Sequence, residues 1–80
     1  MDRDLANMIL NATHSSEREL ANLVPFIKEH CDKDDYDRMS IAIATVLHDL
    51  DSTIRRPIYQ EHPDLEREIE DRVERFGRTF

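Results

Sequence analysis

The chain has 80 residues, of which 39% are apolar, so it can form one small hydrophobic core and is predicted to be a single domain over residues 1–80. Its 18 acidic and 11 basic residues give a net charge of -7, which argues against the basic surface that direct nucleic-acid binding requires. A single glycine excludes a glycine-rich phosphate-binding loop, and a single cysteine excludes an internal disulfide.

The amino-terminal residues, MDRDLANMIL, show neither the basic start nor the long apolar stretch of a secretory signal. The most apolar run, Ile41 to Leu47, is bounded by charged residues and is too short to span a membrane. Together with the single Cys31, this pattern predicts a soluble protein of the reducing cytoplasm that does not bind membranes.

The first half of the chain shows two helical patterns. A first helix is predicted over residues 3–13, with one apolar face formed by Leu5, Met8, Ile9 and Ala12. Ser16 followed by Glu19 has the spacing of a capping box, which predicts that a second helix starts there and runs over 16–31. Pro25 lies inside this second helix and is expected to kink or divide it.

The second half shows two more helical patterns. A third helix is predicted over 35–55, and its core face consists of Tyr36, Met39, Ile43, Val46, Leu47, Leu50 and Ile54. Residues 56–62 are predicted to be a short connection. Pro63 at a first helical position and Gly77 as a stop then define a fourth helix over 63–76. The predicted fold is therefore all-α, a small bundle of four helices.

The middle of the third predicted helix is apolar on nearly all sides. Ile41, Ala44 and His48 lie opposite its core face, and a helix that is apolar all round is usually covered by neighbours on more than one side. In so small a chain one neighbour is expected to come from a second subunit. We therefore predict a homodimer with Ile41, Ala44 and His48 in the interaction face, and we expect the terminal Phe80 to reach a surface groove or the same interface.

Acidic residues are concentrated around the predicted start of the third helix. Asp32, Asp34, Asp35 and Asp37 form a candidate acidic patch. The segment does not fit a calcium-binding loop, because the glycine and the final glutamate of that motif are both missing. Acids at the first turn of a helix also interact favourably with its dipole, which explains the cluster without a ligand.

No other pattern predicts a catalytic, metal or cofactor site. The four histidines show no paired metal-ligand spacing, and Cys31 is in phase with the apolar face of its predicted helix. An enzyme or metal protein would need a site shared between two subunits, for example from His48, Asp49 and His62. The sequence therefore predicts a non-enzymatic protein without a cofactor.

Residues 15–24, SSERELANLV, resemble the second helix of the bacterial DNase-colicin immunity proteins, which are small acidic four-helix inhibitors. The resemblance covers about an eighth of the chain. That family carries two neighbouring tyrosines on a short third helix, whereas Tyr36 and Tyr59 are far apart here, so no residue role is transferred from it.

Two functions from different classes follow. The first is a small acidic interaction module, a regulator or adaptor, that binds a protein partner through an apolar helix face, as a homodimer. The alternative is an acidic inhibitor of a nucleic-acid enzyme, either similar to an immunity protein or a mimic of nucleic acid, which would be steered to a cationic partner by its charge.

Overall fold

The computed structural model describes residues 1–77, apart from the side chain of Phe76. Helix α1 spans Arg3–His30. Helix α2 consists of three consecutive segments: an α-helix at Lys33–Asp49, a π-helical turn at Leu50–Arg55 and an α-helix at Arg56–Glu61. Helix α3 spans Pro63–Phe76. The described residues contain no strand, so the all-α prediction is confirmed, but they form three helices and the predicted number of four is wrong.

Helix α1 joins the first two predicted helices. The predicted break at residues 13–15 is absent because the hydroxyl groups nearby bond within the helix. Thr13 Oγ1 donates to the carbonyl of Ile9 at 2.8 Å, and Ser16 Oγ donates to the carbonyl of Ala12 at 2.9 Å, so Ser16 does not cap a new helix. The helix also continues through Pro25 without dividing, and it ends at His30.

Helix α2 begins at an aspartate and continues well past its predicted end. Asp32 is the N-cap, and its carboxylate accepts a hydrogen bond from the backbone N–H of Asp35 at 2.8 Å. The predicted connection over 56–62 is wrong, because residues up to Glu61 are helical. The helix can continue past Pro57 because the π turn widens it immediately before that residue. Without the wider turn, the proline ring would clash with the preceding turn of the helix.

Helix α3 has the predicted boundaries. Pro63 occupies the first turn, and Gly77 ends the helix in the left-handed conformation, with φ 69° and its N–H bonded to the Val73 carbonyl. Spacing by four residues along a helix also predicts charge pairs on its surface, and two of them form, Glu68 with Arg72 at 3.9 Å and Asp71 with Arg75 at 3.4 Å. A third pair with this spacing, Glu74 with Arg78, involves a residue outside the described ones.

The hydrophobic core is confined to one end of the molecule, where all three helices meet. It consists of Ala6, Leu10, Ile58, Leu65 and Ile69, flanked by Ile9, Ile54, Tyr59 and Val73. On α1 the buried stripe contains Ala6 and Leu10 and lies beside the predicted apolar face. The predicted residues Leu5, Met8 and Ala12 are therefore exposed. Phe76 shares the apolar stripe of α3 in the sequence, which predicts a core position, but its side chain lies outside the described ones.

Charged side chains of α1 and α3 connect at this end. Arg3 Nε donates to Asp64 at 2.8 Å and the same guanidinium also contacts Glu68, while Arg72 donates to Asn7 Oδ1 at 3.1 Å. The Arg3 guanidinium lowers the pKa of Asp64 by hydrogen bonding. These contacts align α3 along the first third of α1. The remainder of α1 and the first segment of α2 therefore form a two-helix hairpin, and no third helix of the described residues packs along it.

The molecule is extended. Its radius of gyration is 14.7 Å and it measures 44 × 25 × 15 Å, whereas a compact domain of 80 residues is expected to have a radius of about 12 Å. Over residues 1–77, no helix combines the length and the apolar character needed to cross a lipid bilayer.

Candidate functional site: the surfaces of the helical hairpin

A cluster of charges connects α1 to the π turn of α2. Arg55 contacts Glu17 of α1 at 2.5 Å and Asp51 at 2.9 Å, and Asp51 also accepts a hydrogen bond from Arg56 at 2.8 Å. Burial disfavours the charged Arg55, but its bonds to Glu17 and Asp51 outweigh that effect and raise the pKa of its guanidinium. The bonds to Arg55 and Arg56 lower the pKa of Asp51.

A depression of about 400 Å³ lies beside this cluster, lined by Asp51, Arg56, Tyr59, Gln60 and Glu66. Burial raises the pKa of the Tyr59 hydroxyl, so Tyr59 is neutral at physiological pH. Of the charged residues at its border, Asp51 and Arg56 pair with each other, and Glu66 is exposed. The cluster of Glu17, Arg55 and Asp51 holds α1 against the π turn.

The predicted interaction face is exposed on α2. The side chain of Ile41 is 67% exposed, and Ala44 and His48, which follow it along the same stripe of the helix, are exposed as well. Phe80, the fourth residue of the predicted face, lies outside the described residues. The structure thus leaves Ile41, Ala44 and His48 accessible to a partner, on the stripe that also carries Asp37.

The predicted acidic patch is largely engaged in local contacts. Asp32 caps α2, Asp35 pairs with Arg38 at 3.0 Å, and Asp37 pairs with Lys33 at 2.7 Å. Asp34 is exposed in the same first turn. Since basic side chains of the same helix contact two of the four carboxylates, the patch presents less negative charge than its sequence indicates.

Two residues predicted to be in the core are instead at the surface. Met39 and Val46 are 40% and 46% exposed, and on α1 Leu23 and Phe26 are 48% and 64% exposed. The Phe26 ring lies against His30, with 4.9 Å between the ring centroids. Sequence periodicity missed this set because Met39 and Val46 share an apolar arc with Ile43 and Leu47, which do turn inward.

The histidines and the cysteine do not form a site with each other. His62 Nε2 is 2.9 Å from the Met1 carbonyl, and His48 is exposed. Cys31 is exposed at the turn of the hairpin, although its phase with the apolar face of its predicted helix indicates partial burial. Within the part of the chain that the structure describes, no three His, Cys, Asp or Glu side chains are grouped so that they could hold a metal ion.

Comparisons with known proteins found no family model, no curated protein and no solved structure that matches the chain.

Proposed function

We propose that this protein is a small acidic interaction module, a regulator or adaptor without catalytic activity, that binds a protein partner through the apolar surface of its helical hairpin. The observation that carries the proposal is the exposure of Leu23, Phe26, Met39 and Val46 on a hairpin against which residues 1–77 place no third helix. Large exposed apolar surfaces are uncommon on monomeric proteins and mark interaction sites.

The polar side chains that could perform chemistry support the same proposal. Arg55, Asp51 and Glu17 hold two helices together, and His62 contacts the start of the chain. Each therefore has a structural contact that accounts for its position.

A photo-crosslinking amino acid at single positions tests this function in the cells of origin. Phe26 and Ile41 represent the two exposed apolar surfaces, and the exposed Arg67 of α3 is the control position. We expect covalent protein adducts from position 26 or 41 and none from position 67. Equal labelling at all three positions, or no protein adduct at any of them, would contradict an interaction module.

The alternative, an acidic inhibitor of a nucleic-acid enzyme, rests on the net charge of -7. The pairing of Asp35 and Asp37 with basic neighbours weakens it. A charge-driven complex loosens as salt is added, whereas association of apolar surfaces does not. The salt dependence of binding therefore separates the two functions.

A further inference from the structure

The two broad sides of the hairpin can be told apart by one shared depression. Lys28 of α1 and Asp37 of α2 both line a depression of about 330 Å³ near the turn. The less exposed Ile27 and Ile43 lie about 100° and 120° from them around their helices, so Lys28 and Asp37 mark one broad side of the hairpin and not the inner sides. Phe26 and Met39 are each two residues away from these markers, which corresponds to about 160° around the helix. Phe26 and Met39 therefore lie together on the opposite broad side.

Leu23 and Val46 complete the apolar surface on that side. Leu23 precedes Phe26 by three residues and Val46 follows Met39 by seven, so each lies on the same stripe of its helix. We call Leu23, Phe26, Met39 and Val46 the hairpin face. All four side chains are between 40% and 64% exposed. Ile41 lies near the side of Asp37 and belongs to the other surface.

The amount of exposed surface leaves room for a dimer interface. A compact monomer of this mass is expected to expose about 5,000 Å², whereas this chain exposes 5818 Å². The excess of roughly 800 Å² is of the size that one partner buries in a standard protein interface. The largest side of the molecule measures 44 × 25 Å, and the hairpin forms the part of it that α3 does not cover.

We propose that the occupant of the hairpin face is a second copy of this chain, related by a two-fold axis, so that two hairpins stack into a four-helix layer. This inference rests on the proposed function and names its partner. A two-helix hairpin that is apolar on one side is half of a four-helix bundle, and stacking on an identical hairpin is the symmetric way to complete it. Phenylalanine and methionine are also enriched in the buried centres of interfaces.

Sedimentation equilibrium of the full chain at about 1 to 100 μM covers the micromolar range of dissociation constants and tests the proposal. We expect a dimer, twice 9.5 kDa, and a dissociation constant at least tenfold higher for Phe26→Glu and for Met39→Glu. The matched control is Ile41→Glu, because Ile41 at 67% and Phe26 at 64% are equally exposed and neither supports the core. Circular dichroism verifies that the variants remain helical.

Ile41→Glu should leave the dimer intact. A monomer at every concentration would overturn the inference, and so would a dimer that Ile41→Glu dissociates while Phe26→Glu does not. In the latter case the interface is the stripe of Ile41, Ala44 and His48. If the chain is monomeric but position 26 or 41 still crosslinks to another protein, the interaction module stands and only the second copy is excluded.

Added salt provides an independent measurement on the same samples. Each copy carries a net charge of -7, so like charges oppose the dimer and salt screens them. We expect the dissociation constant to fall as sodium chloride is raised. A dissociation constant that rises with salt would mean that ion pairs, and not the hairpin face, hold the copies together.

Discussion

Arg55 is the residue that connects α1 to the π turn, and its environment explains why a charged side chain is tolerated there. Its side chain is only 18% exposed. Arg55 forms ion pairs with Glu17 and Asp51, and it also donates a hydrogen bond to Asp51. An unpaired buried charge is strongly destabilising, and the two carboxylate partners offset the cost of removing Arg55 from water. Asp51 shares its second oxygen with Arg56, so one carboxylate holds two guanidinium groups.

Asp51→Asn tests this arrangement through its pH dependence. The folded-state pKa of Asp51 lies below its ordinary value of 3.8, so its ionised form stabilises the fold above that pH. The contribution is lost as the pH falls through the lowered pKa. We expect the variant to lose about 1 kcal/mol of unfolding free energy at pH 7 and to approach the wild type in denaturant titrations under strongly acidic conditions. A difference that is the same at both pH values, or equal to that of the exposed control Glu19→Gln, would contradict this role.

The individual helices show which sequence signals decide a boundary. The ends of α3 were predicted from Pro63 and Gly77, because a proline without an N–H and a glycine in the left-handed conformation act locally. The capping signal at Ser16 failed because a serine hydroxyl can equally bond the carbonyl four residues earlier. The extent of α2 was missed because the π turn that accommodates Pro57 leaves no pattern in the sequence.

The faces of the helices were harder to predict than their existence. On α1, two neighbouring stripes are apolar, one with Leu5 and Met8 and one with Ala6 and Leu10. Only the position of Leu65 and Ile69 on α3, nearly sixty residues away, selects the second. The exposure of the hairpin face could not be predicted for the same reason. Helical periodicity does not show how far α3 extends along the hairpin, and α3 does not reach Met39 and Val46. Ile41, Ala44 and His48 do lie away from the core, as their position opposite the predicted core face indicates, and their role in an interaction face stays a prediction.

Deletion of a single residue tests the π turn as an element. A π turn accommodates one extra residue in a helix, so deleting the exposed Thr53 together with Pro57→Ala, which removes the ring that a regular helix cannot accept, should restore a regular α-helix and keep Ile58 in the core. Deleting the exposed Ser16 of α1 instead rotates Leu10 and Leu20 by about 100° relative to each other. Thermal unfolding is expected to show a change within about 1 kcal/mol for the first deletion and a loss of more than about 3 kcal/mol for the second. Equal losses would mean that the turn is required for the fold.

At the scale of the whole molecule, the fold is unevenly stabilised. The described core lies at the end where α3 packs, and the hairpin beyond it buries Ile43 as its one nearly inaccessible apolar side chain among the described residues. Two helices alone cannot enclose a core, so the apolar side chains that do not fit between them remain at the surface. In the proposed dimer, a second hairpin stacked on the hairpin face supplies the missing layer, so one folded chain is half of the complete bundle.

The single cysteine allows the proposed dimer to be tested by a direct distance measurement. Cys31 is exposed at the turn of the hairpin, so a spin label attached there reports one position per copy without any substitution. Pulsed electron paramagnetic resonance of the labelled protein, at a concentration where the dimer is populated, should give a discrete distance between the two labels. The same label on the Phe26→Glu variant should give only a structureless decay. A structureless decay from the unsubstituted chain would contradict the proposed dimer. A discrete distance that Phe26→Glu leaves unchanged would contradict the hairpin face as its interface.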